Sequence, residues 1–169
     1  MRNKILVLSA FSVISVLFFI FESFVPKPIP FLRIGLANIF ILLILIKIDF
    51  SSAFIVLISK VILGNLFSGL LFTPIFLISL SGSILALLAM HFAIKSNLGF
   101  SLVGVSILGA TFHNLAQISV ARFVLIKSVK IFSLVPIMLL LSIVMGIITG
   151  IIVSVLNEKI KFELMYEKG

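Results

Sequence analysis

The sequence predicts an all-α, polytopic membrane protein with about six transmembrane helices. Of its 169 residues, 62% are hydrophobic and only 11% are charged, and the mean hydropathy is +1.44. A soluble domain needs more polar residues to cover its surface. Apolar runs of about 20 residues, enough to cross a bilayer as a helix, also recur along the chain. We therefore expect one integral membrane domain over residues 1–169, ending in a short charged tail from about residue 157.

Polarity breaks and the Pro and Gly positions place the limits of the spans. Lys47 and Asp49 mark a tight turn, and polar residues at 95–99 form a loop. Pro74 suits the first turn of a helix. The expected spans are residues 5–21, 34–46, 52–72, 74–94, 100–126 and 131–156.

The charge pattern predicts the orientation of the chain. Its formal charge of +8 comes from basic residues at the span ends, where they meet anionic lipid headgroups, so we expect membrane lipid and not nucleic acid as the partner. With six spans, the side holding both termini carries more Lys and Arg. This favours cytoplasmic termini in a bacterial inner membrane. Residues 5–21 lack a convincing cleavage site and are predicted to be retained rather than removed as a signal peptide.

Polar residues inside the spans are the candidates for function, because burying them unpaired in lipid is costly. Lys60 lies near the middle of the third span. It either snorkels to an interface or faces an internal cavity as a cation. Asn65 lies between Gly64 and Gly69, and it either lines the same cavity or makes one interhelical hydrogen bond in a packing notch.

The fifth span holds the densest polar cluster, in GVSILGATFHNLAQ. His113 and Gln117 share a helix face with the small residue Gly109, and Asn114 lies one step round. These groups either line a polar cavity or tie helices together. One histidine with no Glu or Cys nearby is a poor metal site, so we expect no metal and no cofactor. The absence of cysteine also excludes disulfides and thiolate sites.

A stiff segment separates the first two spans. Pro26, Pro28 and Pro30 alternate with other residues, which excludes helix and favours extended backbone. Such backbone cannot face lipid, so we predict a lid over a pocket on the outer face. Arg33 at its end either meets an anionic ligand or anchors at a headgroup. Asn38 follows at the start of the second helix and is included among the candidate binding residues.

Two further features concern helix ends and helix packing. Glu22 ends the first span and either pairs with Lys27 or Arg33 or caps the exit of the helix into water. Gly146 and Gly150 are four residues apart on the sixth span and form a small-xxx-small pair that suits close helix packing.

Several stretches taken in order resemble a known family. They are Glu22 with PKPIP and RIGLANI, then LGNLFSG, SLSGS and GVSILGATFHNLAQ. The sequence is similar to the Gx transporter family, often labelled heptaprenyl diphosphate synthase component I, over nearly its whole length. The family in turn resembles the substrate-binding S components of energy-coupling-factor transporters. That resemblance implies six helices, cytoplasmic termini, an outward pocket closed by the loop after the first helix, and a transmembrane coupling subunit with ATPases. The alanine-xxx-alanine docking pattern of S components is absent from the first helix, which offers serines and Ala10 instead.

The residues argue against an enzyme. A prenyl diphosphate synthase needs clustered aspartates to hold magnesium, and this chain has the single aspartate Asp49. No phosphate-binding glycine loop or catalytic triad is apparent. Three hypotheses follow: a substrate-capture subunit for a small metabolite, vitamin-like or isoprenoid-like; a non-catalytic membrane partner of a prenyl-chain enzyme that binds it through the tail after residue 157; or a structural membrane subunit. We favour the first.

Overall fold

A computed structural model describes residues 2–24 and 35–160, of which Arg2 and Asn3 are described by their backbone alone. Within these residues it shows six α-helices. The helices are α1 (Arg2–Phe24), α2 (Asn38–Lys47), α3 (Phe50–Phe67), α4 (Pro74–Lys95), α5 (Leu102–Val124) and α6 (Val135–Lys159), and a 3₁₀ helix (Val129–Leu134) precedes α6. The all-helical fold class predicted from the sequence is confirmed.

The distribution of polarity is that of a membrane protein. Among the described residues, α1, α3, α4, α5 and the segment Val129–Lys159 are long and apolar enough to cross a bilayer. Large apolar side chains face outward, such as Leu6, Leu17 and Leu140, whereas polar side chains lie between the helices. A chain surrounded by lipid must satisfy its polar groups internally, so this arrangement fits a polytopic bundle.

The second helix differs from the other five. At ten residues, α2 rises about 15 Å, which is half the hydrocarbon thickness of a bilayer. Its residues from Ile39 to Leu45 are all buried, because α1, α3, α4 and α6 pack around it. It was predicted to begin at Ile34 but begins at Asn38, after a turn in which Gly35 has φ +90°. It is therefore a core helix enclosed by the long ones.

The third helix ends earlier than predicted. The span was expected to run to Phe72, but α3 stops at Phe67. Gly69 has φ +69°, its N–H donates to Leu66 O, and the N–H of Leu70 donates to Asn65 O. These two bonds form a Schellman cap, which a glycine in the left-handed region favours. Similarly, the sixth span was predicted from Ile131, but a 3₁₀ helix intervenes and α6 begins at Val135 with Pro136 in its first turn.

Candidate functional site

The candidate site is centred on Lys60, a cation buried in the middle of α3. Its side chain is 2% exposed. Its Nζ donates to Asn38 Oδ1 at 2.9 Å and to Ser83 Oγ at 3.2 Å. Lys60 therefore lies inside the bundle, between the start of α2 and the middle of α4, and does not snorkel to an interface. We call Lys60, Asn38 and Ser83 the lysine cluster.

Glu22 holds the chain that leads into this cluster. Its carboxylate is 1% exposed and accepts hydrogen bonds from the backbone N–H groups of Gly35 and Ala37, each at 3.2 Å. The end of α1 is thereby fastened to the turn before α2, which places Asn38 next to Lys60. Lys27, one proposed partner of Glu22, lies outside the described residues, as does Arg33. The described partners of Glu22 are backbone amides, which differs from both arrangements predicted from the sequence.

His113 and Gln117 form a second polar pair beside the lysine cluster. Both are buried on α5, and their Nε2 atoms lie 3.1 Å apart. When the Gln117 amide donates, His113 Nε2 accepts and the imidazole proton lies on Nδ1. A Cβ at Gly82 would lie 2.8 Å from Gln117 Cγ and 3.1 Å from His113 Nδ1, so only glycine lets α4 approach this pair. Gly82 precedes Ser83, and α4 thus brings the pair next to the lysine cluster.

The two asparagines predicted to line a cavity make their described hydrogen bonds elsewhere. Asn114 Nδ2 donates to Ser142 Oγ at 2.8 Å and to Met138 O at 3.3 Å, which ties α5 to α6. Asn65 is fully buried, and its Nδ2 donates to Val61 O within α3 at 2.7 Å. In these contacts Asn114 joins two helices, and Asn65 bonds within its own helix.

The predicted packing glycines lie at close helix crossings. A Cβ at Gly146 would be 2.6 Å from Ile107 Cα, and one at Gly150 would be 2.6 Å from Val103 Cα. These glycines bring α6 against the backbone of α5. A Cβ at Gly109 would be 2.7 Å from Met90 Cγ, where α5 meets α4. The helices α4, α5 and α6 are therefore packed closely together beside the candidate site.

A small crevice adjoins the lysine cluster through Asn38. It is lined by Gly35, Asn38, Met90, Ser106, Gly109, Ala110, Met145 and Thr149, and its volume is about 10 Å³. That is room for one water molecule. Ser106 and Thr149 share a hydrogen bond of 2.6 Å across it. Because the volume is so small, a ligand larger than water needs the surrounding helices or the turn at Gly35 to move.

Sequence reasoning did not select Ser83, Ser106 and Thr149 as site residues. In the sequence, Ser83 stands out only as part of SLSGS, one of the stretches that resemble the family. Its spacing of one helical turn from Ser79 on an otherwise apolar helix could have indicated a polar contact. The predicted lid residues Pro26, Pro28 and Pro30 lie outside the described residues. Within residues 2–24 and 35–160, no group of three His, Asp or Glu side chains is placed to hold a metal ion.

The sequence matches the model of one known protein family. The model of the family described as heptaprenyl diphosphate synthase component I matches residues 11–156. The chain belongs to this family. Searches of curated proteins and of solved structures returned no significant match. The match runs from within α1 to within α6 and includes every residue of the lysine cluster, so the site described above lies within the matched region.

Proposed function

We propose that this family member is a non-catalytic, membrane-embedded binding subunit for a small metabolite with an anionic group. The observation that carries the proposal is Lys60: a cation 2% exposed in the middle of a membrane helix. Burying a charge in the bilayer is costly, and in membrane proteins such residues mark ligand or ion pathways. Asn38 and Ser83 present only neutral oxygens to Lys60 Nζ. An anionic ligand would add the electrostatic attraction of an ion pair, which a neutral amide or hydroxyl oxygen does not offer.

The arrangement around Lys60 supports ligand capture in two further ways. The turn at Gly35 and the two backbone bonds to Glu22 connect the lysine cluster directly to the segment that holds the predicted lid. His113 and Gln117 add hydrogen-bonding groups on the neighbouring face of α5. Most ligand sites combine an apolar wall with a few converging polar groups, and this core has that composition.

The wider role of such a subunit is uptake. We propose that a transmembrane coupling subunit with ATPases drives it, since the sequence carries no ATP-binding motif. The termini are cytoplasmic in this proposal, which places the segment between α1 and α2 on the outer face of the cell membrane.

A second candidate function follows from the family description. The chain would be a membrane component that associates with a heptaprenyl diphosphate synthase without catalysing the reaction. Association through the tail after residue 157 is the form this hypothesis takes. The lysine cluster would then have a structural role only.

Native mass spectrometry of the detergent-purified protein separates these functions. A co-purifying small molecule of constant mass supports the binding subunit, and its mass identifies the ligand class. Co-purification of a soluble synthase subunit, with no small molecule bound, supports the second function. A protein that carries neither, and that retains none of a panel of small carboxylates, phosphates and diphosphates, contradicts the proposed binding role.

A further inference from the structure

A groove on the outer surface of the bundle lies apart from the lysine cluster. It runs between α4 and α5, has a volume of about 460 Å³, and is lined by Leu85, Leu88, Ala89, Phe92, Ala93, Ser96, Leu98, Phe100, Leu108 and Phe112. Ser96 is the single polar residue in that lining. The volume falls within the roughly 300–1,000 Å³ typical of small-ligand sites. Its apolar lining matches a hydrocarbon, and the proposed metabolite site uses none of these residues.

The length of the groove matches one leaflet of a bilayer. Leu85 and Ser96 lie at opposite ends of its α4 wall, eleven residues apart. At helical rise that separation is about 16 Å, close to half of the roughly 30 Å hydrocarbon core. Ser96 caps the C-terminus of α4, so this end lies at the membrane interface and the Leu85 end lies near the bilayer centre. The groove therefore follows the path of a lipid chain.

The shape of the groove suits a hydrocarbon chain. Nine of its ten lining residues are apolar, and those on α4 extend over about 16 Å. One extended chain of a lipid in a single leaflet can lie along this length.

The interfacial end of the groove carries a positive charge. Lys95 is exposed next to Ser96, and within the described part of the chain it makes no ion pair. The C-terminus of α4 and the N-terminus of α5 meet in this loop, and their opposite partial charges offset each other. Lys95 therefore leaves a net positive charge at headgroup level, where anionic lipid is attracted.

We propose that the α4–α5 groove is a binding site for one chain of an anionic phospholipid whose headgroup pairs with Lys95. The apolar lining supplies affinity for any chain of suitable length, and the lysine supplies selectivity for negative charge. This site is independent of the metabolite site, so either proposal stands if the other fails.

The test is native mass spectrometry of the full chain exposed to equal amounts of phosphatidylglycerol and phosphatidylcholine. We expect one retained lipid, with phosphatidylglycerol favoured about fivefold. Ala89→Phe fills the groove and should remove both lipids. Lys95→Gln should remove the preference while phosphatidylcholine is still retained. Ala10→Phe on the exposed face of α1 and Lys159→Gln at the same end of the bundle are the matched controls, and both should behave as the unaltered protein.

Three results would overturn the assignment. Undiminished lipid retention by Ala89→Phe would show that the lipid binds elsewhere. An equal loss of preference in Lys95→Gln and Lys159→Gln would show that the charge effect is general. A long-chain prenyl phosphate that displaces phosphatidylglycerol would replace the proposed occupant. Lys95→Gln alters one exposed side chain, so it tests the proposal even where Ala89→Phe fails to fold.

Discussion

At the scale of single residues, ligand binding depends on how Lys60 is held. Its two described acceptors are uncharged, and both come from other helices. Removing the hydrogen-bond acceptors of a buried charge costs several kcal/mol of stability. An anion, in contrast, would replace the bond to a neutral acceptor with a stronger one. A ligand anion at this point therefore competes with Asn38 for the ammonium group.

Replacement of Asn38 by aspartate should mimic that anion. The new carboxylate would lie about where Asn38 Oδ1 now accepts from Lys60 Nζ at 2.9 Å. We expect Asn38→Asp to lower the affinity for an anionic metabolite by about tenfold, because a close buried charge pair is hard to displace. Ligand retention in native mass spectra measures the change. Asn157→Asp adds the same charge at the end of α6 and should have no effect; unchanged retention in Asn38→Asp would contradict the assignment of the ligand to Lys60.

Helical periodicity predicted which candidate residues lie on one face but not which helix they meet. The four-residue spacing of His113 and Gln117 predicts a shared face, and their side chains do contact each other. The approach of Gly82 to this pair, and of Ser83 to Lys60, depends on how α4 packs between α3 and α5. The sequence does not predict this packing, because each of these helices has several apolar faces that could contact a neighbouring helix. Asn114, one step round from His113, consequently faces α6.

At the scale of helices and their ends, packing and capping decide the geometry. The lengths of the apolar runs predicted α1, α4 and α5 to within three residues at each end, because a long uninterrupted run in lipid has few alternatives to helix. The limits of α2 and α3 could not be predicted as well. They depend on the positive φ values of Gly35 and Gly69, and a glycine in sequence indicates that a turn is allowed without showing that it occurs.

The α5–α6 contact should not tolerate a methyl group at Gly146. A Cβ there would lie 2.6 Å from Ile107 Cα, and backbone atoms cannot move aside as a side chain can. We expect Gly146→Ala to destabilise the protein by about 1–3 kcal/mol, as overpacking does. The measurement is thermal unfolding in detergent. Gly104→Ala is the matched control, because its Cβ would meet Phe100 Cδ1 at 3.4 Å and alanine favours helix. Equal melting temperatures for both variants would contradict the packing account.

Asp49 joins two elements at once. It accepts from Ser52 N–H at the start of α3 and pairs with Lys4 Nζ of α1 at 2.8 Å. The hydrogen bond from Lys4 is the main cause that holds the pKa of Asp49 below its ordinary 3.8, and partial burial opposes it. Because the folded state lowers the pKa, the ion pair stabilises the protein above pH 3.8 and this contribution is lost as the pH falls below that value.

Asp49→Asn removes the ion pair with Lys4 but keeps the helix cap, because asparagine also caps helices. The pair is partly exposed, so at pH 7 we expect a loss of less than about 1 kcal/mol of unfolding free energy. The difference in melting temperature between Asp49→Asn and the unaltered protein should be larger at pH 7 than near pH 3, because the ion pair is lost progressively as the pH falls below 3.8. A difference that is undiminished in acid would show that the ion pair is not its cause, and Asp49→Ala should lose the cap at both pH values.

At the scale of the whole molecule, the bundle is a membrane protein whose polar groups are gathered at its centre. The composition alone predicted this class, because lipid exposure requires an apolar surface everywhere. The shape of the central site could not be predicted in the same way, since the small crevice beside Asn38 arises from contacts among α2, α4, α5 and α6.

The proposed orientation is open to a direct test, because the chain has no cysteine. Each of the single replacements Lys95→Cys, Lys159→Cys and Lys130→Cys introduces one thiol at an exposed position near the end of a helix. With cytoplasmic termini, we expect a membrane-impermeant maleimide to label Lys130→Cys in intact cells and the other two only after permeabilisation. Labelling of Lys95→Cys and Lys130→Cys from the same side would contradict the helix topology itself.

Ligand retention by Lys60→Met, compared with the unaltered protein in native mass spectra, is the direct test of anion binding at Lys60. Lys130→Met, which removes an exposed lysine on the 3₁₀ helix, is the control. We expect the unaltered protein and Lys130→Met to carry the same small anionic molecule, and we expect folded Lys60→Met to retain at least about tenfold less of it. Phospholipid adducts differ in mass and should persist in all three. Full retention of the small molecule by Lys60→Met would contradict the account.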